Sequence, residues 1–511
     1  MTADLPRDFA TVVHMLFEAA TMRPDAPALV CGERRLDYRG YATSVAAFAA
    51  ELEACGARGA RVATLLPNSI EACIAGFAVP AAGAQHVPLN PLYTARELQQ
   101  ILEDASPAVL VVDERLLGEA EPAAMAARVP RTLVVGPQSR RLDLPGPFAG
   151  SLSPCLPDPD ALALLQYTGG TTGLPKGVNL RHRAIAVNVA QRESLLPTRT
   201  DAERILCVMP LFHSYAMAMG LFLAPYCRGC LVVLERYQPE VLLETIVRET
   251  VTIFPGSPTL FVGLMAHPEF ARTDWSSVHT CYSGAAPLAE ETLRRWRDAV
   301  GAPVYEGYGQ TEAGPVLSFN PVGGPIKPGS VGIPVAGTTI EVVDVETGMR
   351  VLPVGERGEI RARGPQLMQG YRNRTEETAQ ALRGGWLYTG DIGEFDAEGY
   401  LFVRDRKKDM VIVGGYNVYP REIEEVLSGH SAVAEAAAVG APDGYRGEIV
   451  CAYVVLRAGA SSSHEALLAH CAANLAKYKV PATLELVDAL PKTSVSKTDK
   501  QALRARARLR S

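Results

Sequence analysis

Residues 167–177 read YTGGTTGLPKG, with glycines at 169, 170, 173 and 177, threonines at 168, 171 and 172, and a lysine at 176. Gly169, Gly170 and Gly173 let backbone amides approach a ligand closely, the hydroxyls of Thr168, Thr171 and Thr172 add donors, and Lys176 adds a fixed positive charge. That set suits a polyphosphate. It is not a Walker A loop, because Pro175 precedes the lysine, no Ser or Thr follows it, and VNL after the loop reads as a strand. Glycine and threonine alone would equally describe a plain hairpin. A second stretch, YEGYGQTEAGP at residues 305–315, sets one carboxylate, Glu312, beside Thr311 and close to Tyr308. A carboxylate next to a triphosphate is repulsive unless a cation lies between them, so Glu312 reads as a Mg²⁺ ligand. Thr311 can donate to a phosphate, and Tyr308 offers a face to a base; in isolation Glu312 is an ordinary surface carboxylate and Tyr308 a packed ring. The third stretch, LPKTSVSKTDK at residues 490–500, carries Lys492, Lys497 and Lys500, and residue type does not separate a reacting amine from a solvated tail.

The elements that must hold these residues show in the pattern of the chain. From Arg61 to Asp113, short apolar runs (RVATLLP, HVPLN, AVLVVD) alternate with helical stretches (SIEACIAGFAVPAAG, TARELQQILED), as parallel strands with crossover helices do. A segment rich in Pro, Ser and Gly reads as a surface loop before the next apolar strand, ALALLQY. After Val403 the charge cluster RDRKKD is followed by glycines and a helix start at PREIEEVL, with proline in its first turn and acids behind it. A boundary there leaves a carboxy-terminal unit of about 100 residues, with strands at VAEAAAVG, IVCAYVVLR and TLELVDA. The terminal RARARLR reads as a basic, solvated helix end.

With 511 residues the chain exceeds a single core, so at least two domains are expected. Hydrophobic residues at 48% and a net charge of −6 exclude disorder and the basic footprint of a nucleic-acid binder. No apolar run approaches the ~18 residues of a membrane span, and the polar start MTADLPRDFATVV lacks a secretory signal, which points to the cytoplasm. Ten cysteines are scattered, and Cys227 and Cys230 lack a second CxxC, so buried free thiols are expected.

The order TGGTTGxPKG followed by YGxTE resembles the adenylate-forming superfamily of acyl-CoA synthetases, adenylation domains and firefly luciferase. The resemblance runs from about Asp8 to Arg504. It implies an α/β protein: a large amino-terminal adenylating domain of several subdomains with mixed and parallel sheets, residues 1–405, and a small mobile α+β domain, residues 406–511. It also implies ATP, Mg²⁺ and coenzyme A. A carboxylic acid attacks the α-phosphate of ATP, pyrophosphate leaves, and a thiol takes the acyl group from the acyl-AMP. SGAAPL places Gly284, Ala285 and Ala286 along the adenine pocket, and Tyr308 and Gly309 belong to the same nucleotide site. Asp391 in YTGDIG matches the aspartate holding both ribose hydroxyls, a task for one carboxylate accepting two hydrogen bonds. Arg406 matches a second ribose contact, and Lys408 the hinge about which the small domain rotates between half-reactions. Gly415 and Tyr416 match the loop that lines the pantetheine tunnel. The family's final motif, LPKTxxGK, puts the catalytic lysine on Lys497, with Ser496 at the glycine position and Thr498 at an apolar one. Lys492 and Lys500 are then expected to be solvated.

The resemblance also narrows the substrate. Amino-acid-activating domains usually place an aspartate where this chain reads PLFHSYAM, at residues 210–217; here Phe212, His213, Ser214 and Tyr215 include no acid. A fatty or aryl acid is expected. His213 is either a gate near the substrate carboxylate or a wall of the core, and the apolar run at residues 252–268 either a pocket wall or a core helix. Coenzyme A is the expected acceptor, with a separate acyl carrier protein, release of the adenylate, or an inactive nucleotide-binding protein as alternatives; a homodimer is left open.

Overall fold

The computed structural model describes residues 5–143, 156–168, 175–284, 286, 288–413, 416–493 and 498–509. The chain forms two compact units, one of Met1–Ile340 with Ala362–Tyr388, the other of Glu341–Arg361 with Thr389–Ser511.

In the larger unit the expected alternation appears as β1 (Arg61–Leu65), α1 (Ile70–Ala81), β2 (Gln85–Pro88), α2 (Ala95–Ala105) and β3 (Val109–Asp113). β1 pairs in parallel with both β2 and β3. Helix α2 shows why the sequence folds this way: Leu98, Ile101, Leu102 and Ala105 recur at helical spacing and are all buried, while Thr94 and Glu97 close a capping box at its start. β4 (Arg131–Val135) extends the sheet beyond β3. On the other side β2 meets β5 (Leu162–Thr168), which turns back antiparallel into β6 (Lys176–Arg181). A two-residue strand, Gly370–Tyr371, completes seven strands among the described residues by pairing with β6. α3 (His182–Leu195) follows.

A second sheet of nine strands holds parallel Arg204–Cys207, Cys230–Val233 and Ile253–Gly256, then β7 (Thr280–Ser283) and β8 (Val304–Gly309), before β9 (Val316–Phe319) returns antiparallel. Its core gathers Phe254, Phe261, Phe270, Trp275 and Trp296. The apolar run at residues 252–268 is therefore a core strand and a helix, Pro258–Met265, whose Leu260, Phe261 and Leu264 are buried.

Two buried histidines make this unit acid-sensitive. His86 on β2 shares a 2.8 Å hydrogen bond between Nε2 and Thr64 Oγ1, and among the described residues neither its Nδ1 nor that of His182, at the start of α3, has a partner. Burial pushes His86 down to about 3 and His182 to about 4. Both stay neutral in the folded state while the unfolded chain takes up protons below about 6.5, so stability falls as pH drops from 6.5 toward those values. The expected slope is up to about 1.4 kcal/mol per pH unit for each histidine. Urea unfolding between pH 7 and 5 checks this: His86→Gln or His182→Gln must flatten the slope, and an unchanged slope in both would refute it.

The smaller unit contains the residues from Thr389 onward of β10 (Trp386–Phe395), which pairs antiparallel with β11 (Leu401–Arg406). Beyond it lie α4 (Pro420–Ser428), the long hairpin β12 (Val433–Asp443) and β13 (Gly447–Leu456), β14 (Thr483–Leu486) parallel to β13, and α5 (Lys500–Arg508). The expected strands and the proline-started helix are all present. One expectation fails: α5 is not simply solvated. Leu503 and Ala507 are buried against the hairpin, Arg504 pairs with Asp409, and Arg506 pairs with Glu485. Lys500 is likewise not a solvated charge, since its Nζ lies 2.8 Å from Glu424 and the side chain is only 21% exposed. Its partners come from distant parts of the chain, which is why a basic run looked free.

The nine described cysteines are free thiols, and burial pushes Cys227 up to about 12 and Cys230 to about 11. No helix among the described residues is long and apolar enough to cross a membrane.

Candidate active site

β5 and β6 form a hairpin whose last described pair is Thr168 opposite Lys176, so the two strands deliver the ends of the glycine loop to one place. Gly169, Gly170, Thr171, Thr172 and Gly173 lie outside the described residues. The base of the hairpin is fixed by Asp104 at the end of α2. Its carboxylate accepts from the Tyr167 hydroxyl at 2.6 Å and from Asn373 Nδ2 at 3.1 Å, and its carbonyl accepts from Arg372 Nε at 2.6 Å. Arg372 N also donates to Gly177 O at 2.8 Å. Anchored at both ends, the hairpin holds Thr168 and Lys176 without help from a ligand.

The same pairing carries Tyr371 to β6, opposite Val178. Its hydroxyl donates to Glu312 Oε1 at 2.9 Å, and Lys176 Nζ sits 5.1 Å from the centre of its ring. Burial, then the charge of Glu312, pushes the Tyr371 phenol well above its usual range, so it remains a donor. Lys176, Tyr371 and Glu312 thus form one cluster: a cation, a bridging phenol and a carboxylate with one oxygen committed to that phenol.

Thr311 and Glu312 sit on a short 3₁₀ turn, Thr311–Ala313, between β8 and β9. The chain reverses so tightly here that a Cβ on Gly309 would stand 1.9 Å from Pro315 O, so only glycine fits. Buried Thr311 shares a 3.3 Å hydrogen bond with Ser214 Oγ, joining this turn to the segment that carries His213. His213 caps the short helix Ser214–Ala216, its Nδ1 accepting from Tyr215 N at 3.2 Å, which leaves the proton of the neutral ring on Nε2. Two buried amides hold the segment from behind. Asn68 Nδ2 donates to Met209 O and Leu234 O, each at 3.1 Å, and its Oδ1 accepts from Leu211 N at 2.8 Å. Gln166 Nε2 donates to Phe212 O at 2.7 Å. Tyr215 in turn reaches the end of β7: its hydroxyl lies 3.2 Å from Tyr282 O, and its ring would meet a Cβ on Gly284 at 2.9 Å. Tyr308 lies opposite Ser318 on β9, and Ala286 is exposed. Ala285 lies outside the described residues.

In the smaller unit Asp391 and Arg406 face each other across β10 and β11, with Arg406 Nε 2.9 Å from Asp391 Oδ1. Asp391 is buried and Arg406 exposed, so a hydroxyl-bearing ligand would find a buried carboxylate beside a guanidinium that reaches the surface. The cluster RDRKKD is ordered by pairing. Arg404 pairs with Glu394, Lys407 with Glu359 at 2.8 Å, and Asp409 with Arg504 at 2.5 Å. Lys408 makes no ion pair with a described residue; loss of water, then repulsion from Arg406, holds its amine below the usual lysine range. Tyr416 is 59% exposed and stacks on Tyr478 with ring centres 4.6 Å apart. Gly415, Ser496 and Lys497 lie outside the described residues; Thr498 forms a backbone bridge with Lys492.

Sequence reasoning missed Tyr371, Asn68 and Gln166. Tyr371 acts only because a two-residue strand joins β6, and nothing in its own neighbourhood announces that. Among the described residues no group of three or more His, Cys, Asp or Glu side chains could cage a metal. Mg²⁺ is commonly held by one or two carboxylates together with substrate phosphates, and the Glu312 carboxylate is of the type that could hold it.

The family model described as AMP-binding enzyme matches residues 16–372, and that described as AMP-binding enzyme C-terminal domain matches residues 422–497. The chain is 37% identical to a long-chain-fatty-acid–CoA ligase of Bacillus subtilis over 97% of its own length and 94% of the relative's. It is also 37% identical to a feruloyl-CoA synthase of Amycolatopsis sp, over 95% and 97%. Among solved structures, ATP-bound MatB from Rhodopseudomonas palustris superposes with a TM-score of 0.90 at 32% identity, covering 98% of this chain and 99% of that one. The glycine hairpin, the Thr311–Glu312 turn and these matches along nearly the whole chain agree, and the chain belongs to the AMP-binding enzyme family, on the acyl-CoA synthetase branch of the adenylate-forming superfamily.

Proposed function

We propose that the chain is an AMP-forming acid–CoA ligase for an apolar carboxylic acid, fatty or aryl. In the first half-reaction a carboxylate oxygen bonds to the α-phosphorus of ATP and the bond to the β-phosphate breaks, giving acyl-AMP and pyrophosphate. In the second, the CoA sulfur bonds to the acyl carbon, the thiol proton is lost, and AMP leaves. The observation that carries this reading is the Lys176–Tyr371–Glu312 cluster beside the glycine hairpin, with Thr311 on the same turn.

The first step brings one anion onto another, so positioning and charge stabilisation are what the residues must supply. Lys176 and the hairpin would hold the phosphates, Thr311 would donate to the α-phosphate, and Gly284, Ala286, Tyr308 and Gly309 would receive the base. Asp391 and Arg406 would take the ribose, and Lys497 the developing charge. Mg²⁺, when bound, would offset phosphate charge, and Glu312 is the residue suited to hold it. We place the domain boundary at residues 405 and 406 and the hinge at Lys408. The hinge reading is supported by the pairing around it: its charged neighbours are committed to partners, while Lys408 makes no ion pair with a described residue.

Tyr371 belongs in this scheme as the residue that orients Glu312. Tyr371→Phe keeps the ring and removes the donor, so the Mg²⁺ needed for half-maximal pyrophosphate exchange should rise about 3- to 10-fold, the equivalent of one ordinary hydrogen bond. An unchanged Mg²⁺ requirement would show that the bond to Glu312 does no work.

The acid is read as apolar because residues 210–217 contain no carboxylate to hold an ammonium, and Leu211, Tyr215 and Met217 are buried. The relatives named for long-chain fatty acids and for feruloyl-CoA support both acid types. Pyrophosphate release, screened across fatty, aryl and amino acids with and without CoA, tests the whole reading. Thioester from a fatty or aryl acid is expected; exchange without thioester would instead favour a carrier protein as acceptor or release of the adenylate.

A further inference from the structure

Helix α3 follows β6 without a break, and it carries amides into the core of the larger unit. Asn188 and Gln191 on this helix, and Gln366 from far along the chain, are all fully buried. Buried amides are costly unless their donors and acceptors are met. Here they are met, in part by one another. Asn188 Nδ2 donates to Val316 O and its Oδ1 accepts from Val316 N, both at 2.9 Å. The same Nδ2 lies 3.1 Å from Gln191 Oε1. Gln191 Nε2 donates to Ala336 O at 2.7 Å and to Gln366 Oε1 at 3.3 Å, and Gln366 Nε2 donates to Thr338 Oγ1 at 2.7 Å.

Val316 is where the loop bearing Thr311 and Glu312 closes. Gln310 N donates to Pro315 O at 3.0 Å, and Gly309 lies opposite Val316. Asn188 therefore grips the foot of that loop by both backbone groups of one residue, as a neighbouring strand would. The segment of Gln366 touches the loop itself: Met368 N donates to Glu312 O at 2.9 Å, and a Cβ on Gly314 would stand 2.8 Å from Gln366 O. A little further on, Tyr371 takes Glu312 Oε1. Apolar packing lets a helix slide on a strand at little cost, whereas a fully paired set of directional hydrogen bonds admits one register. Because α3 continues from the strand that carries Lys176, that register ties the Thr311–Glu312 turn to the nucleotide hairpin.

We propose that Asn188, Gln191 and Gln366 are positioning residues of the adenylation step, a buried amide cluster that sets the Thr311–Glu312 turn in place relative to the nucleotide hairpin; this deepens the ligase reading and rests on it. None of the three side chains need touch a reactant.

Asn188→Leu keeps the branched shape of the side chain and removes its donor and acceptor. At saturating ATP it should lower acid-dependent ATP–pyrophosphate exchange about 10- to 100-fold, the scale of a displaced catalytic group. Calorimetric binding of MgATP, measured without acid, should weaken about 3- to 10-fold. Phe270→Leu, in the core of the second sheet, is the control for stability alone: it should lower the melting temperature and leave both readings unchanged. Because the cluster acts through the turn, Asn188→Leu combined with Glu312→Gln should lose less exchange than the product of the two single losses. Unchanged exchange in Asn188→Leu, losses no greater than those of Phe270→Leu, or a full product in the double variant would overturn the proposal. Should Asn188→Leu fail to fold, Gln366→Met decides the matter, since it leaves Asn188 on Val316 and removes the support behind it; a loss of about 3- to 10-fold is expected, and no loss would refute the cluster. A wild-type enzyme without exchange would sink the ligase reading instead; one with exchange, whose variants follow the control, would sink only the positioning role.

Discussion

Lys497→Ala is expected to lose about 10² to 10³ in the rate of acyl-AMP formation, the cost of removing one preorganised charge from a charge-developing transition state. Two unit charges about 4 Å apart interact by roughly 4 kcal/mol at an effective dielectric near 20, enough to account for a loss of that size. The same variant should still convert supplied acyl-AMP and CoA to thioester, because the bond in that step forms at the acyl carbon and no anion has to attack the α-phosphate. Lys492→Ala is the control. Lys492 is partly exposed and pairs with Glu435 on the surface, a kind of contact worth about 0 to 1 kcal/mol. Pyrophosphate exchange across the two variants checks the assignment, and equal losses would sink it. Lys500, expected from sequence to be solvated, is disqualified as a second control by its burial and its ion pair with Glu424.

Glu312→Gln should rank second, lowering exchange about 10²-fold and raising the Mg²⁺ requirement further than Tyr371→Phe does. The substitution is nearly isosteric, and its amide oxygen can still accept from the Tyr371 hydroxyl, so the turn and its neighbours should stay in place. What disappears is the negative charge, and with it the reason for a divalent cation to sit there. Titrating Mg²⁺ in the exchange assay separates the two effects. If the loss of rate were complete but the Mg²⁺ dependence unchanged, Glu312 would be stabilising the turn rather than serving the metal.

How far this could be read from sequence depends on how local each interaction is. The glycine hairpin, the Thr311–Glu312 turn and helix α2 are specified by neighbouring residues, and their patterns were visible. Parallel strands β1 to β3 were visible too, as apolar runs at regular spacing. Tyr371 was not, because its role arises when a two-residue strand pairs with β6, far away in the chain. Asn68 and Gln166 are amides buried in apolar surroundings, and nothing nearby marks them as anything but ordinary polar residues. The burial of Lys500 was hidden for a similar reason. Its acidic partners lie far upstream, and a lysine within a basic run reads as exposed until the fold brings carboxylates to it.

Asn68 and Gln166 grip the segment around His213 by its peptide groups alone: the carbonyls of Met209 and Phe212 and the amide of Leu211. Such a grip is indifferent to which side chains the segment carries. Positions 212 and 217 can therefore change without loosening the backbone that presents them, whereas Ser214 is tied to Thr311, and the nucleotide hairpin, fixed separately by Asp104, would not register a change at the other two. A lineage could retune its choice of acid here by single substitutions while its handling of ATP stayed constant, and a library confined to positions 212 and 217 is where altered selectivity should be sought.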